Sequence, residues 1–171
     1  GTLGFMADIE QNELESRLES ICAGDYHIEW RRFLAGFVTK PDGAEHFLGL
    51  AINDIVVMKG DPARIISLGL AVNATPLVEC KADGFIVASP TGSTAYSLSA
   101  GGPIMNPMVK GIVLTPICPH TLNIRPLIIR EEDVVHIHLV DTRQSIIVTL
   151  DGQETTPIHP DDIVTVKSSD V

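Results

Sequence analysis

Apolar residues follow two different periods along this chain. Over residues 7–23, Ile9, Leu14, Leu18, Ile21 and Cys22 recur at mostly helical spacing, Asp8 stands where an N-cap would, and Gly24 is a stop signal, so a helix is predicted there. From Tyr26 onward the pattern changes to short β-rich runs separated by turn residues. Runs 26–39 and 45–52 flank Pro41-Asp42-Gly43 and predict a hairpin. In run 66–72, Ile66, Leu68, Leu70 and Val72 alternate with Ser67, Gly69 and Ala71, the period of a strand with one buried face, and Asn73-Ala74-Thr75-Pro76 predicts the turn after it. Further strands are predicted at 77–81, 85–88, 111–115, 127–130, 134–140, 145–150 and 162–167.

So many short strands at close spacing predict a mainly β (α+β) fold: a sandwich-like stack of short antiparallel strands, with an N-terminal helix and a short helix after the Thr-Gly-Ser-Thr-Ala-Tyr turn. No internal repeat or low-complexity linker divides the chain, so one domain is expected over 1–171. Residues 1–25 are read as a helical lead-in from a preceding domain. The opening Gly1-Thr2-Leu3-Gly4-Phe5 and the end directly after a strand-like run are read as those of a piece of a longer protein.

Composition narrows the classes of function. The 171 residues are 44% hydrophobic and 20% charged, which excludes a disordered tail and a collagen-like repeat. A chain of this length buries roughly 70% of its unfolded surface and can fold on its own core. With 12 basic against 22 acidic residues the net charge is −10, which argues against a nucleic-acid backbone as the main partner. It does not exclude a small phosphorylated ligand met by a few placed cations. Cys22, Cys80 and Cys118 are far apart and in no paired-ligand spacing, as expected of thiols in a reducing compartment. No apolar run approaches the roughly 18 residues a bilayer span needs, so no membrane partner and a cytoplasmic location are expected.

The least ordinary stretch runs from Asp83-Gly84 through Ser89-Pro90-Thr91-Gly92-Ser93-Thr94-Ala95-Tyr96 to Gly101-Gly102-Pro103. A strand enters a turn of small hydroxyl residues, and a short helix follows that ends at two glycines. Ser93 or Thr94 is a candidate N-cap, with free backbone N–H groups behind it where an anion or a ribose could sit. The same residues also describe a tightly packed connector. Asn53 can donate and accept together, which suits a ribose diol, whereas ionised Asp54 only accepts; the pair could equally form an Asx turn. Arg64 and Lys81 are cations that could meet phosphate, or solvated charges on a strand face. His136 and His138 share one face of a strand, but no third ligand stands at a sensible spacing, so an exposed face rather than a metal site is expected. Trp30 and Phe33 are assigned to the core.

The chain resembles the NAD kinases. Residues 83–103 look like that family's Asp-Gly, Thr-Gly-Ser-Thr-Ala-Tyr and Gly-Gly-Pro signature, and Pro119-His120-Thr121-Leu122-Asn123-Ile124-Arg125-Pro126-Leu127 looks like a second signature. The Leu-Gly-Phe segment at the start, Asn53-Asp54 and Asp151-Gly152-Gln153 are similar to three more, all in the family's order. The resemblance implies phosphoryl transfer from ATP or polyphosphate to the 2′-hydroxyl of the adenosine ribose of NAD, giving NADP, with magnesium accompanying ATP. It places Asn53 and Asp54 on ribose and phosphate-side groups, Thr94, Ala95, Tyr96 and Ser99 along the dinucleotide, and Asp83 and Ala95 near the nicotinamide. Arg64, Lys81 and Gln153 fall at nucleotide contacts. It also implies a homodimer or homotetramer.

The family's Gly-Gly-Asp-Gly motif, whose aspartate receives the hydroxyl proton, does not occur in this sequence and is expected upstream of Gly1. No catalytic residue is therefore assigned within 1–171, no resident metal is expected, and the fragment is expected to be weakly active or inactive alone. Two other readings are a non-catalytic dinucleotide-binding or assembly module and a diacylglycerol-kinase-like lipid kinase. The Thr-Gly-Ser-Thr-Ala-Tyr run resembles NAD kinases rather than the lipid kinases.

Overall fold

A computed structural model describes residues 10–61, 63–121, 123–141 and 145–169. The chain divides into two compact units, 1–30 and 31–171. In the first, a 3₁₀ turn at Gln11–Glu13 leads into helix α1, Leu14–Cys22. Glu10 and Glu13 form a capping box at the start of the 3₁₀ turn, and Gly24, at φ +81°, follows the end of α1. The predicted helix is thus present from Gln11, while Asp8, its expected cap, lies outside the described residues.

Among the described residues of the second unit there are twelve strands: β1 Phe33–Thr39, β2 Glu45–Ala51, β3 Asp54–Lys59, β4 Ile66–Val72, β5 Thr75–Ala82, β6 Gly84–Ala88, β7 Gly111–Ile117, β8 Leu127–Arg130, β9 Val135–Leu139, β10 Ile146–Leu150, β11 Glu154–Ile158 and β12 Ile163–Ser169. They form two six-stranded sheets, ordered β2-β1-β12-β9-β4-β5 and β11-β10-β3-β6-β7-β8. Every pairing is antiparallel. Alternate side chains of both sheets, among them Leu34, Val38, Ile55, Val57, Leu68, Phe85, Leu114 and Ile137, share one apolar core. The expected sandwich is what the chain forms.

The second sheet is also covered on its outer face. Val56, Ile86, Ala88, Val113 and Ile117 pack there with Met105, Met58 and Ala100. Consequently β6 and β7 are buried along their whole length, and their sequences read as continuous apolar runs rather than alternations. The cover is a 3₁₀ turn, Thr91–Thr94, followed by the short helix α2, Tyr96–Ser99, and the segment after it. Ser97 Oγ, fully buried, shares a 2.8 Å hydrogen bond with Thr115 Oγ1 on β7 and so ties α2 to the sheet. Ser97→Ala leaves the Thr115 hydroxyl buried without that partner and is expected to cost about 1–2 kcal/mol, read from urea unfolding midpoints.

Several expectations are corrected. The first strand begins at Phe33 rather than Tyr26, because its partner ladders end at Ser169 opposite Phe33 and at Ala51 opposite Leu34. Trp30, expected in the core, is 81% exposed, and Phe33 is half-buried. The turn after β4 is two residues, Asn73 and Ala74, both with positive φ, so Thr75 and Pro76 already belong to β5. Strands β3 and β11 were not expected. The first is a non-alternating apolar run behind two polar residues; the second carries Pro157, which an edge position tolerates. His136 and His138 are half-buried rather than exposed: His136 Nδ1 lies 3.1 Å from Thr165 Oγ1, and the His138 ring lies over Gly69, where a β-carbon would collide with it. Among the described residues no helix is long and apolar enough to cross a membrane.

Candidate functional site

The outer face of the second sheet carries a cavity of about 400 Å³. Its floor is Val56 and Met58 of β3 with Thr149 of β10, and its walls are Asn53 and Asp54, Ala95 and Tyr96, and Asp151 and Gly152. Three elements supply the walls because of how the strands pair. Leu150 lies opposite Ile55 in the β10–β3 register, so the turn after β10 falls beside the residues that begin β3. The β6–β3 pair sets Ala88 opposite Asp54, so the turn after β6 arrives at the same end.

Backbone hydrogen bonds then fix the polar wall. The Asp151 carboxylate accepts N–H donors from Ile52 at 2.9 Å, Asn53 at 2.8 Å and Asp54 at 3.0 Å. Ser89 donates its hydroxyl to the Ile52 carbonyl, and its N–H donates to the Asn53 carbonyl at 2.9 Å. Gly92 N–H in turn donates to Ser89 Oγ at 3.1 Å. A β-carbon on Gly92 would overlap the Asn53 carbonyl, so only glycine allows the 91–94 turn to sit against it. The small residues of this stretch therefore do act as a tight connector, and the connector is what carries Ala95 and Tyr96 to the cavity.

Asp54 is 4% exposed. Burial pushes its carboxyl up to about 6, the neighbouring Asp151 charge pushes it the same way, and the Tyr96 backbone N–H hydrogen-bonded to it pulls it down. A buried carboxylate facing an open cavity is equipped to accept a hydrogen bond from a ligand hydroxyl. Tyr96 is partly exposed and lines the same cavity with a flat aromatic side chain.

Of the residues singled out in the sequence, Asn53, Asp54, Ala95 and Tyr96 meet in this cavity. Thr94 precedes Ala95, with its hydroxyl bonded to the Thr91 carbonyl at 3.3 Å, Ser99 is exposed at the far end of α2, and Gln153 is exposed after Gly152. Asp83, Lys81 and Arg64 do not line it. Asp83 pairs with Lys59 at 2.8 Å, Lys81 lies on the edge strand β5 beside a separate cavity of about 290 Å³, and exposed Arg64 lies 3.7 Å from Asp61. The expected cap is corrected: neither Ser93 nor Thr94 caps α2, which follows Ala95. Ser93 Oγ is used instead by the Pro90 carbonyl at 2.7 Å and by the Met105 N–H at 2.9 Å. An Asx turn at Asn53 or Asp54 would take the N–H of Ile55 or Val56, and both residues lie in the β3 ladders instead. Asp151, Thr149, Val56 and Met58 were missed. For Asp151 the Asp-Gly pair signalled a turn, and its left-handed φ of +49° bears that out, but nothing in the sequence signals a carboxylate that reaches residues 52–54.

The sequence profile of the ATP-NAD kinase C-terminal domain matches residues 52–171. The chain is 44% identical to the NAD kinase of Heliobacterium modesticaldum over 171 residues, all of this chain and 60% of that protein. It is 43% identical to the NAD kinase of Moorella thermoacetica over 166 residues, 97% of this chain and 53% of that protein. The chain thus spans a little over half the length of these relatives. Among solved structures it is similar to yeast NADH kinase complexed with NADH, at TM-score 0.87 and 31% identity over 99% of this chain and 49% of that one. It is also similar to an NAD kinase from Archaeoglobus fulgidus in complex with ATP, at TM-score 0.75 and 29% identity over 93% of this chain and 58% of that one. With the profile covering most of the chain, including every wall of the cavity, the chain belongs to the ATP-NAD kinase family.

Proposed function

We propose that this chain is the dinucleotide-binding part of an NAD kinase, which transfers the terminal phosphate of ATP or polyphosphate to the 2′-hydroxyl of the adenosine ribose of NAD. The observation that carries the reading is the cavity that Asn53 and Asp54 line together with Ala95 and Tyr96. Asn53 donates to and accepts from the ribose diol, and Asp54 accepts a hydrogen bond from one of its hydroxyls. The Tyr96 ring covers a flat face of the ligand, and the apolar floor of Val56 and Met58 keeps water from its underside. Thr94, Ser99 and Gln153 extend this surface at the rim. Asp83, Lys81 and Arg64 lie outside the cavity and would serve more distant parts of the dinucleotide or a neighbouring subunit of a homodimer or homotetramer. The base that receives the hydroxyl proton is assigned to the portion of the relatives that this chain does not match. The proposed setting is the cytoplasm.

Magnesium fits here only as a companion of the phosphates. Among the described residues no three His, Cys, Asp or Glu side chains converge, and both oxygens of Asp151 are committed to backbone N–H groups. Asp54 alone is no resident metal site, and no step is assigned to the ion.

Calorimetry with NAD and NADP tests the reading. Asn53→Ala and Tyr96→Ala are each expected to weaken binding about tenfold or more. Wild-type affinity retained in both cavity variants would place the dinucleotide elsewhere.

A further inference from the structure

The family resemblance assigns ligand contacts to Asn53, Asp54 and Gln153 but gives Asp151 none. Asp151 nevertheless makes more hydrogen bonds to the ligand-facing wall than any other side chain named there. One carboxylate takes the N–H groups of three successive residues, 52, 53 and 54, and the Asp151 N–H returns a bond of 3.0 Å to the Asp54 carbonyl. We propose that Asp151 is a positioning residue for the ribose site: by gripping these three amides it holds Asn53 and Asp54 at the cavity wall and sets the field in which Asp54 works. This rests on the reading of the cavity as the ribose site.

The residue type is what the geometry demands. The position needs a left-handed backbone, φ +49°, which Asp and Asn adopt more readily than most residues, followed by Gly152 at φ +67°. It also needs a group that only accepts, because three N–H donors converge on it; an ionised carboxylate is that group, and an amide would turn one donor toward another. The partners lie about a hundred residues away in sequence, so the contact welds the β10–β11 turn to the start of β3, where Asn53 and Asp54 sit. Local turn geometry would need no such reach.

The same carboxylate lies beside Asp54 and opposes its ionisation. The titratable groups on the cavity walls are Asp54 at the start of β3, Asp151 on the β10–β11 turn and the Tyr96 phenol on α2. Among the described residues no Lys, Arg or His lines the cavity to offset the pair. The ionised form of Asp54 is the one that accepts a ribose hydroxyl, so affinity should rise with pH through the range near 6 in which Asp54 loses its proton. Asp151 thus acts twice on the same neighbour. It fixes where Asp54 is and delays when Asp54 becomes charged.

Asp151→Asn in the full-length protein separates this from a purely structural role, because asparagine keeps the backbone and one acceptor while removing the charge. Carbon-13 NMR of labelled aspartate, without ligand, is expected to show Asp54 titrating at lower pH in Asp151→Asn than in the wild type. Calorimetry with NAD between pH 5 and 8 is expected to show affinity about tenfold weaker at pH 8 and a pH dependence displaced downward. In an Asp54→Asn background, Asp151→Asn should move the pH dependence no further. If Asp54 titrates identically with and without Asp151, or if the wild-type affinity and pH profile persist in Asp151→Asn, the inference is overturned. Should the wild type bind no dinucleotide at any pH, the ribose-site reading fails on its own, and the ligand-free titration still decides whether Asp151 controls Asp54. Should Asp151→Asn fail to fold, amide exchange in the wild type decides: protection of residues 52–54 that equals that of the core strands supports the grip, and rapid exchange overturns it.

Discussion

Replacing Gly92 with alanine is expected to destabilise the protein by about 3 kcal/mol or more and to weaken dinucleotide binding by about a hundredfold. The added β-carbon would overlap the Asn53 carbonyl and come within 2.6 Å of the Asn53 Cα. Both are backbone atoms, so no side chain can rotate away to make room. The carbonyl itself is fixed by the Ser89 N–H, and the segment around it by the Asp151 carboxylate. Something in this chain of contacts must then yield: either the 91–94 turn lifts off β3, or Asn53 leaves the wall. Lifting the turn displaces Ala95 and Tyr96 and uncovers the apolar patch around Ile86 and Val113. Moving Asn53 breaks the bonds that hold Asp54. Either route removes one wall of the cavity, so stability and affinity should fall together, which urea unfolding and calorimetry on the same preparation would show. Stability within about 0.5 kcal/mol of the wild type, the range of an ordinary surface substitution, would mean that the turn does not rest on Asn53 as described.

Gly92 illustrates what was legible in the sequence and what was not. The Thr-Gly-Ser-Thr-Ala-Tyr run was recognisable as an unusual turn, and its likeness to a family signature put Ala95 and Tyr96 with Asn53 and Asp54, four residues that do meet. The reason for the glycine was not legible, because it depends on a carbonyl some forty positions earlier that the β3–β6 pairing brings underneath. The same holds for Asp151, whose reach to residues 52–54 follows from the β10–β3 register. Strands that bury one face, such as β4 and β9, were read with nearly correct bounds because alternation marks them. Strand β3 was missed because it is covered on both sides, by the core and by the α2 segment, and so shows no alternation. Ser93 failed as a cap for a related reason. Its hydroxyl had a better use in holding the chain at Met105, a partner that propensity rules cannot see.

The second large effect has the opposite sign. Asp54→Asn is expected to stabilise the ligand-free protein at pH 8 by up to about 3 kcal/mol while weakening dinucleotide binding. The Asp54 carboxyl is raised from 3.8 to about 6 in the folded chain, first by burial and then by the Asp151 charge. Between those two values the folded state holds a proton that the unfolded state has released, so stability falls as pH rises through the window. Above about pH 6 the folded protein carries the full cost of a buried charge, about 1.4 kcal/mol for each pH unit of the displacement. Asparagine is neutral throughout, fills nearly the same volume, and keeps an oxygen for the Tyr96 N–H. The advantage of the variant should therefore be greatest at pH 7–8, shrink steadily below 6 and vanish near 4, a profile that urea unfolding across that range would trace. A constant difference at all pH values would mean that ionisation of Asp54 is not its cause. A charge kept at a cost to the unliganded fold is understandable only if something binds to it, and the cavity leaves the ionised carboxylate open to a ligand hydroxyl. Bound dinucleotide should accordingly narrow the stability gap between wild type and variant, since only the wild type recovers through that contact what burial of the charge costs.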